Sequence, residues 1–114
     1  MACSPRQWNV SISATDVATA KVIGATATPF GPAVIYVQNT STTDECYFVL
    51  SNVGANVTAT VATATADGVS WRLPASKDIF INTGSQDSTE TWSISVIMAS
   101  GKTGTIIVNA IQAQ

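Results

Sequence analysis

Apolar residues recur at every second position along most of this chain. In "WNVSIS", Trp8, Val10 and Ile12 share one face while Asn9, Ser11 and Ser13 share the other. Side chains of an extended backbone alternate between two faces, so this pattern predicts a strand buried on one side. The same alternation predicts strands over residues 33–39 (AVIYVQN), 45–51 (ECYFVLS), 77–83 (KDIFINT), 91–98 (TWSISVIM) and 103–111 (TGTIIVNAI). In the third of these Ile79 and Ile81 face one way, and in the fourth Trp92, Ile94 and Val96 do. The polar loop 40–44 between the first two reads as a short hairpin connection. Residues 57–68, "VTATVATATADG", predict a further strand ending in Asp67-Gly68, because a type I′ turn needs positive φ that Gly supplies without steric cost. The chain then enters "VSWRL", where Val69, Trp71 and Leu73 share a face before Pro74 ends the strand. On this reading Trp71 and Trp92 are core residues. About eight strands, spaced roughly a dozen residues apart, predict an all-β fold: an antiparallel β-sandwich or jelly roll.

Residues 14–32, "ATDVATAKVIGATATPFGP", allow two readings. Val17, Ala20 and Ile23 have helical spacing, but Gly24, Pro29, Gly31 and Pro32 break a helix quickly, and Thr and Val are mediocre helix formers. An extended segment is favoured. The chain therefore divides into residues 1–32, an N-terminal arm or edge strand with a Gly/Pro hinge, and residues 33–114, the β-sandwich.

Composition narrows the function. The 114 residues suit one domain, and charged residues are 11% of the sequence against about 25% in a typical soluble protein. The net charge is −2, and Arg6, Lys21, Arg72, Lys77 and Lys102 are scattered, so no basic field invites nucleic acid. No apolar run approaches the ~18 residues of a membrane helix. The start, "MACSPRQWNV", has no apolar h-region, which points to synthesis in a cytosol.

The same inventory predicts no enzyme. With no His in the chain, no Ser or Thr has that base beside it, and Cys3 and Cys46 have no partners for a zinc site. Two reduced thiols, with Cys46 buried in a strand, are favoured over a disulfide. Asp87 and Glu90 would act as a glycosidase pair only with a cleft brought to them, and neither that pair nor Asp44 with Glu45 has the ligand density of a calcium loop. Neither catalytic residues nor a cofactor nor a metal site is expected.

What remains is adhesion. Strands with β-branched residues and few charges are sticky at their edges. Trp8 stands beside Arg6, and both residue types are over-represented where one chain anchors on another; contact with a neighbouring subunit and burial in its own core are both open. An arm carrying Arg6, Trp8, Val10 and Ile12 would add a strand to a neighbour's sheet edge. The Ala/Thr stretch around Thr58 and Thr60 either lets another backbone approach closely or makes one solvent face and one packed face in an ordinary sandwich.

From "VIYVQNTSTTDECYFVL" through "DGVSWRLPASKDIFI" to "TWSISVIMASGKTGTIIVNAI", residues 33 to 111, the order of strands and turns resembles the small β-sandwich structural proteins of tailed-bacteriophage virions. These are capsid decoration or cement proteins, head fibres and tail-associated modules. The resemblance implies a non-enzymatic, homo-oligomeric virion component, often a trimer, made in the host cytoplasm and bound on the capsid surface to the major capsid protein or another virion protein. A cement protein would bridge neighbouring capsid subunits. The alternative is a fibre or adhesin-type module that recognises a host surface glycan. Exposed aromatics clustered with Asp, Asn and Gln would favour glycan recognition; a flat apolar base with a projecting N-terminal arm would favour cementing.

Overall fold

A computed structural model of the protein describes residues 6–25, 28–29, 34–51, 58–62, 70–83 and 92–112. Every regular element among them is a strand: β1 (Arg6–Ala14), β2 (Thr19–Val22), β3 (Gly24–Ala25), β4 (Thr28–Pro29), β5 (Val34–Asn39), β6 (Cys46–Ser51), β7 (Trp71–Leu73), β8 (Asp78–Asn82), β9 (Ser93–Met98) and β10 (Gly104–Gln112). Two four-stranded antiparallel sheets, in the orders β1-β10-β5-β8 and β2-β9-β6-β7, form the sandwich, and β3 with β4 makes a small hairpin. The pairs are nested: β1 with β10, β2 with β9, β5 with β8 and β6 with β7. Such nesting describes one long antiparallel ribbon rolled up on itself, which is the jelly roll.

The alternation read from the sequence becomes rows of side chains across the first sheet. Trp8, Ala110, Ile35 and Ile81 form one inward row, Val10, Val108, Val37 and Ile79 the next, and Ile12, Ile106 and Asn39 a third. Cys46, Phe48, Leu73, Ile94, Val96 and Met98 close the core from the second sheet. Residues on both sides of position 32 share this core, since Ile12, Ala14 and Ile23 belong to it together with Ile35 and Val37. Residues 19–22 are extended, as the breakers beyond them predict.

One connection differs from the expected hairpin. Loop 40–44 does not join paired strands, because β5 lies in one sheet and β6 in the other, and the turn around residues 99–103 likewise carries the chain from β9 across to β10. Each strand buries one face in the shared core, and crossing between sheets satisfies that demand as well as a hairpin does. Asn39 fixes the first crossover. It is fully buried, and its side-chain amide donates to the carbonyls of Asp44 at 2.9 Å, Leu73 at 3.3 Å and Pro74 at 3.3 Å, while its Oδ1 accepts from the Ser41 amide at 3.0 Å. Those partners settle which end of the amide is nitrogen.

The Ala/Thr stretch also departs from its expected form. Its described part, residues 58–62, is not a strand. It lies against the outer side of the second sheet, where the Ala59 amide donates to Ser95 Oγ at 2.8 Å and Thr60 N to Ser70 Oγ at 2.7 Å. Ser95, paired to Ala20 on one side and Val49 on the other, stands in a row of small side chains that lets this backbone approach. The Asp67-Gly68 turn and Val69 lie outside the described residues.

Cys46 is a free thiol with no exposed surface, and burial pushes it up to about 12. Alkylation at pH 8 should therefore spare Cys46 in the folded protein and modify it after denaturation. Peptide mass spectrometry checks this; rapid labelling under native conditions would mean that β6 opens readily. Cys3 lies outside the described residues.

Candidate functional site

The two broad faces and four edges of the sandwich are the places where this chain can meet a partner. Three edge strands carry a charge, Lys21 on β2, Arg72 on β7 and Asp78 on β8. The fourth, β1, carries its one charge, Arg6, at its first residue, and has none from Gln7 to Ala14 and no Pro. Its nine residues pair with β10 in continuous register without a bulge, and among the described residues no strand pairs with its other edge.

The residues expected at an interface fall into three settings. Arg6 begins β1, and Trp8 and Val10 are half-buried against the core; Trp8 borders a shallow hollow with Gln7, Asn9, Asn109 and Ile111. Ile12 is wholly inside the core, so its side chain has no surface to offer a second subunit. Thr58 and Thr60 are exposed on the strip that covers the second sheet, about Ala59, which is buried.

A different surface emerges on the outer face of the first sheet. Along β5 and β8 the outward pairs are Gln38 with Asp78, Tyr36 with Phe80, and Val34 with Asn82. The Tyr36 and Phe80 rings stack with centroids 4.5 Å apart and planes inclined by 29°, while the Tyr36 hydroxyl donates to Asp78 Oδ2 at 2.5 Å. That bond to a carboxylate, more than any burial, raises the Tyr36 phenol above its ordinary value. Asn109 of β10 stands beside Tyr36, and Asn9 of β1 beside Asn109. Phe80 is 71% exposed. Round the edge of the sheet, Phe80 and Asn82 line a cleft of about 310 Å3 with Leu50, Ile79, Ile81 and Trp71.

Trp71 corrects the expectation of a core residue. It pairs with the buried Phe48, so alternation points it correctly, but β7 is an edge strand of three residues, and at its end the ring is 66% exposed. Trp92 packs half-buried against the core. Phe80 and Tyr36 went unremarked in the sequence although a signal was there. Each is an aromatic flanked on both sides by inward β-branched residues, Ile79 and Ile81 or Ile35 and Val37, which puts the ring on the outer face.

The charged groups cluster at the opposite end of β7. Glu45 accepts from the Tyr47 hydroxyl at 2.6 Å and from Arg72 Nε, and these bonds hold its carboxyl below the usual carboxylate range. Asp44 lies 3.8 Å from Lys102 Nζ and accepts from the Thr43 hydroxyl at 3.1 Å. Each carboxylate is thus taken up by a cation in a solvent-exposed pair, a tie worth at most about 1 kcal/mol. Asp87 and Glu90 lie outside the described residues.

No family model and no curated protein matches the sequence. Among solved structures, the chain is similar to the Yersinia pseudotuberculosis-derived mitogen, with a TM-score of 0.56 and 14% sequence identity over 97% of this chain and 89% of that one. At that identity the likeness is one of fold.

Proposed function

We propose that this chain is a non-enzymatic structural subunit of a bacteriophage virion: a decoration or cement protein that sits on the capsid surface as a homo-oligomer, a trimer, and bridges neighbouring subunits of the major capsid protein. The jelly roll is an architecture of viral capsid and lectin domains alike, so the fold selects neither role. The observation that supports assembly is the outer edge of β1, which no strand pairs among the described residues and which from Gln7 to Ala14 has no charge, Pro or bulge. A soluble domain that works alone blunts such an edge. A closed ring covers every copy's edge without making a fibre, and many copies on a shell turn weak single contacts into firm attachment.

Ser11 and Ser13 are exposed on β1 and point away from the core, so changing both to Lys should shift stability by no more than about 1 kcal/mol while charging the edge. Light scattering at micromolar concentration should give a multimer for the native chain and a monomer for the double variant, and only the native chain should co-sediment with purified particles. A native chain that is monomeric and does not bind particles would sink the proposal.

A second reading, a fibre or adhesin-type module that recognises a host surface glycan, is favoured by a separate observation: the exposed aromatic pair Tyr36 and Phe80 beside Asp78 and Gln38.

A further inference from the structure

We infer that the outer face of β5 and β8, with the adjoining rim of the cleft, is a binding site for a neutral oligosaccharide, its sugar rings lying on Phe80 and Trp71 and its hydroxyls bonded by Asp78, Gln38 and Asn109. The inference rests on the glycan-recognition reading and goes beyond it by naming the site and the charge class of the ligand.

Three features converge on a sugar. Hexopyranoses present an apolar face of C–H groups and an equatorial belt of hydroxyls. The face matches exposed aromatic rings, and this chain displays two large ones, Phe80 at 71% and Trp71 at 66% exposure, both lining one cleft. Large aromatic surfaces left in water mark contact sites rather than stability elements. The belt of hydroxyls needs groups that accept and donate side by side. Asp78 is held in place by the Tyr36 hydroxyl on Oδ2, while among the described residues Oδ1 has no hydrogen-bond partner, so it remains an acceptor. Gln38 sits across from Asp78, and Asn109 stands beside Tyr36; each amide supplies both a donor and an acceptor.

Spacing and charge narrow the class. Outward residues two apart on a strand lie ~7 Å apart and neighbouring strands ~5 Å apart, so the patch from Gln38 and Asp78 to Val34 and Asn82 has the length of two or three sugar rings. Across the outward rows of all four strands, Asp78 is the sole charge and no cation occurs. An acidic sugar or a phosphorylated lipid headgroup would meet a carboxylate with no cation beside it in these strand rows, whereas an uncharged glycan meets acceptors and amides.

The test uses the full chain with cellotriose, maltotriose and chitotriose as neutral probes and trigalacturonate as the acidic one, each titrated to 10 mM. Binding is followed by tryptophan fluorescence and by saturation transfer from protein to sugar protons. At least one neutral trisaccharide should bind saturably and trigalacturonate should not. Phe80→Ala and Asp78→Asn, both at exposed positions, should each weaken binding about tenfold or more with the melting temperature retained, and Trp71→Ala should abolish the fluorescence response. Saturable binding that survives Phe80→Ala and Asp78→Asn would overturn this site while leaving glycan recognition standing. Failure of every neutral sugar would overturn both. If Phe80→Ala instead lowers the oligomer mass, the face is a contact between copies and the inference fails.

Discussion

Asn39→Asp is expected to destabilise the fold by about 3–5 kcal/mol at neutral pH, the cost of an uncompensated buried charge. Asn39 has no exposed surface, and its amide nitrogen faces the carbonyl oxygens of Asp44, Leu73 and Pro74. The substitution changes one atom in shape and reverses its role, turning a two-hydrogen donor into an oxygen aimed at three other oxygens. Burial disfavours the charged form of this carboxyl, so its folded-state value rises above the ordinary ~3.9. The sign follows: above the raised value the penalty is full, and as pH falls towards ~4 the carboxyl takes up a proton and recovers one donor. Urea unfolding of both proteins at pH 7 and pH 4 should show the gap between them at least halving at the lower pH. A gap that does not change with pH would mean that the side chain has left its cage, and Asn39 would then not be what holds the crossover between the sheets.

That residue illustrates how the sequence speaks and where it stops. Asn39 follows Ile35 and Val37 in strict alternation, so its inward direction was readable, but a polar residue in an inward phase at a strand end looks the same as a strand that has simply finished. The acceptors of its amide nitrogen lie 5 to 35 positions away along the chain, at distances set by tertiary folding. The hairpin expected at residues 40–44 failed for a related reason. Alternation states which face of a strand is buried, and a polar loop states that the chain turns; neither states whether the next strand lies beside the last or across the core from it. Trp71 adds the matter of depth. Its phase was right, yet a three-residue edge strand cannot cover an indole, and sheet position is invisible in local pattern. The candidate sugar site was the most legible part in principle, since two aromatics in the outward phase of β5 and β8 need no long-range information to be noticed. Their adjacency does, because Tyr36 and Phe80 meet through a pairing of strands that are far apart in sequence.

Deleting residues 1–13 should leave a chain with no cooperative melting transition. The deletion removes Trp8, Val10 and Ile12 from the inward rows and uncovers Ile106, Val108 and Ala110, which are otherwise closed to solvent. Fully burying one aliphatic side chain contributes about 1.5–3 kcal/mol, so losing Ile12 and exposing two β-branched neighbours, with the partial losses at Trp8 and Val10, sums to the order of 10 kcal/mol. A domain of this kind has about 5–15 kcal/mol in total. The nine-residue ladder between β1 and β10 goes as well, leaving β10 as a new edge with its apolar face half uncovered. Circular dichroism melts and proton spectra of the truncated chain would show broad, uncooperative behaviour and poorly dispersed amides. The contrast lies on the same strand: Ser11 and Ser13 face outward, so the double Lys variant should melt almost as the native chain does while losing its partners. If the truncated chain instead keeps a sharp transition at the native temperature, β1 is dispensable to its own sandwich. The strand would then be free to serve as an arm on a neighbour, and the open edge that supports assembly would belong to β10.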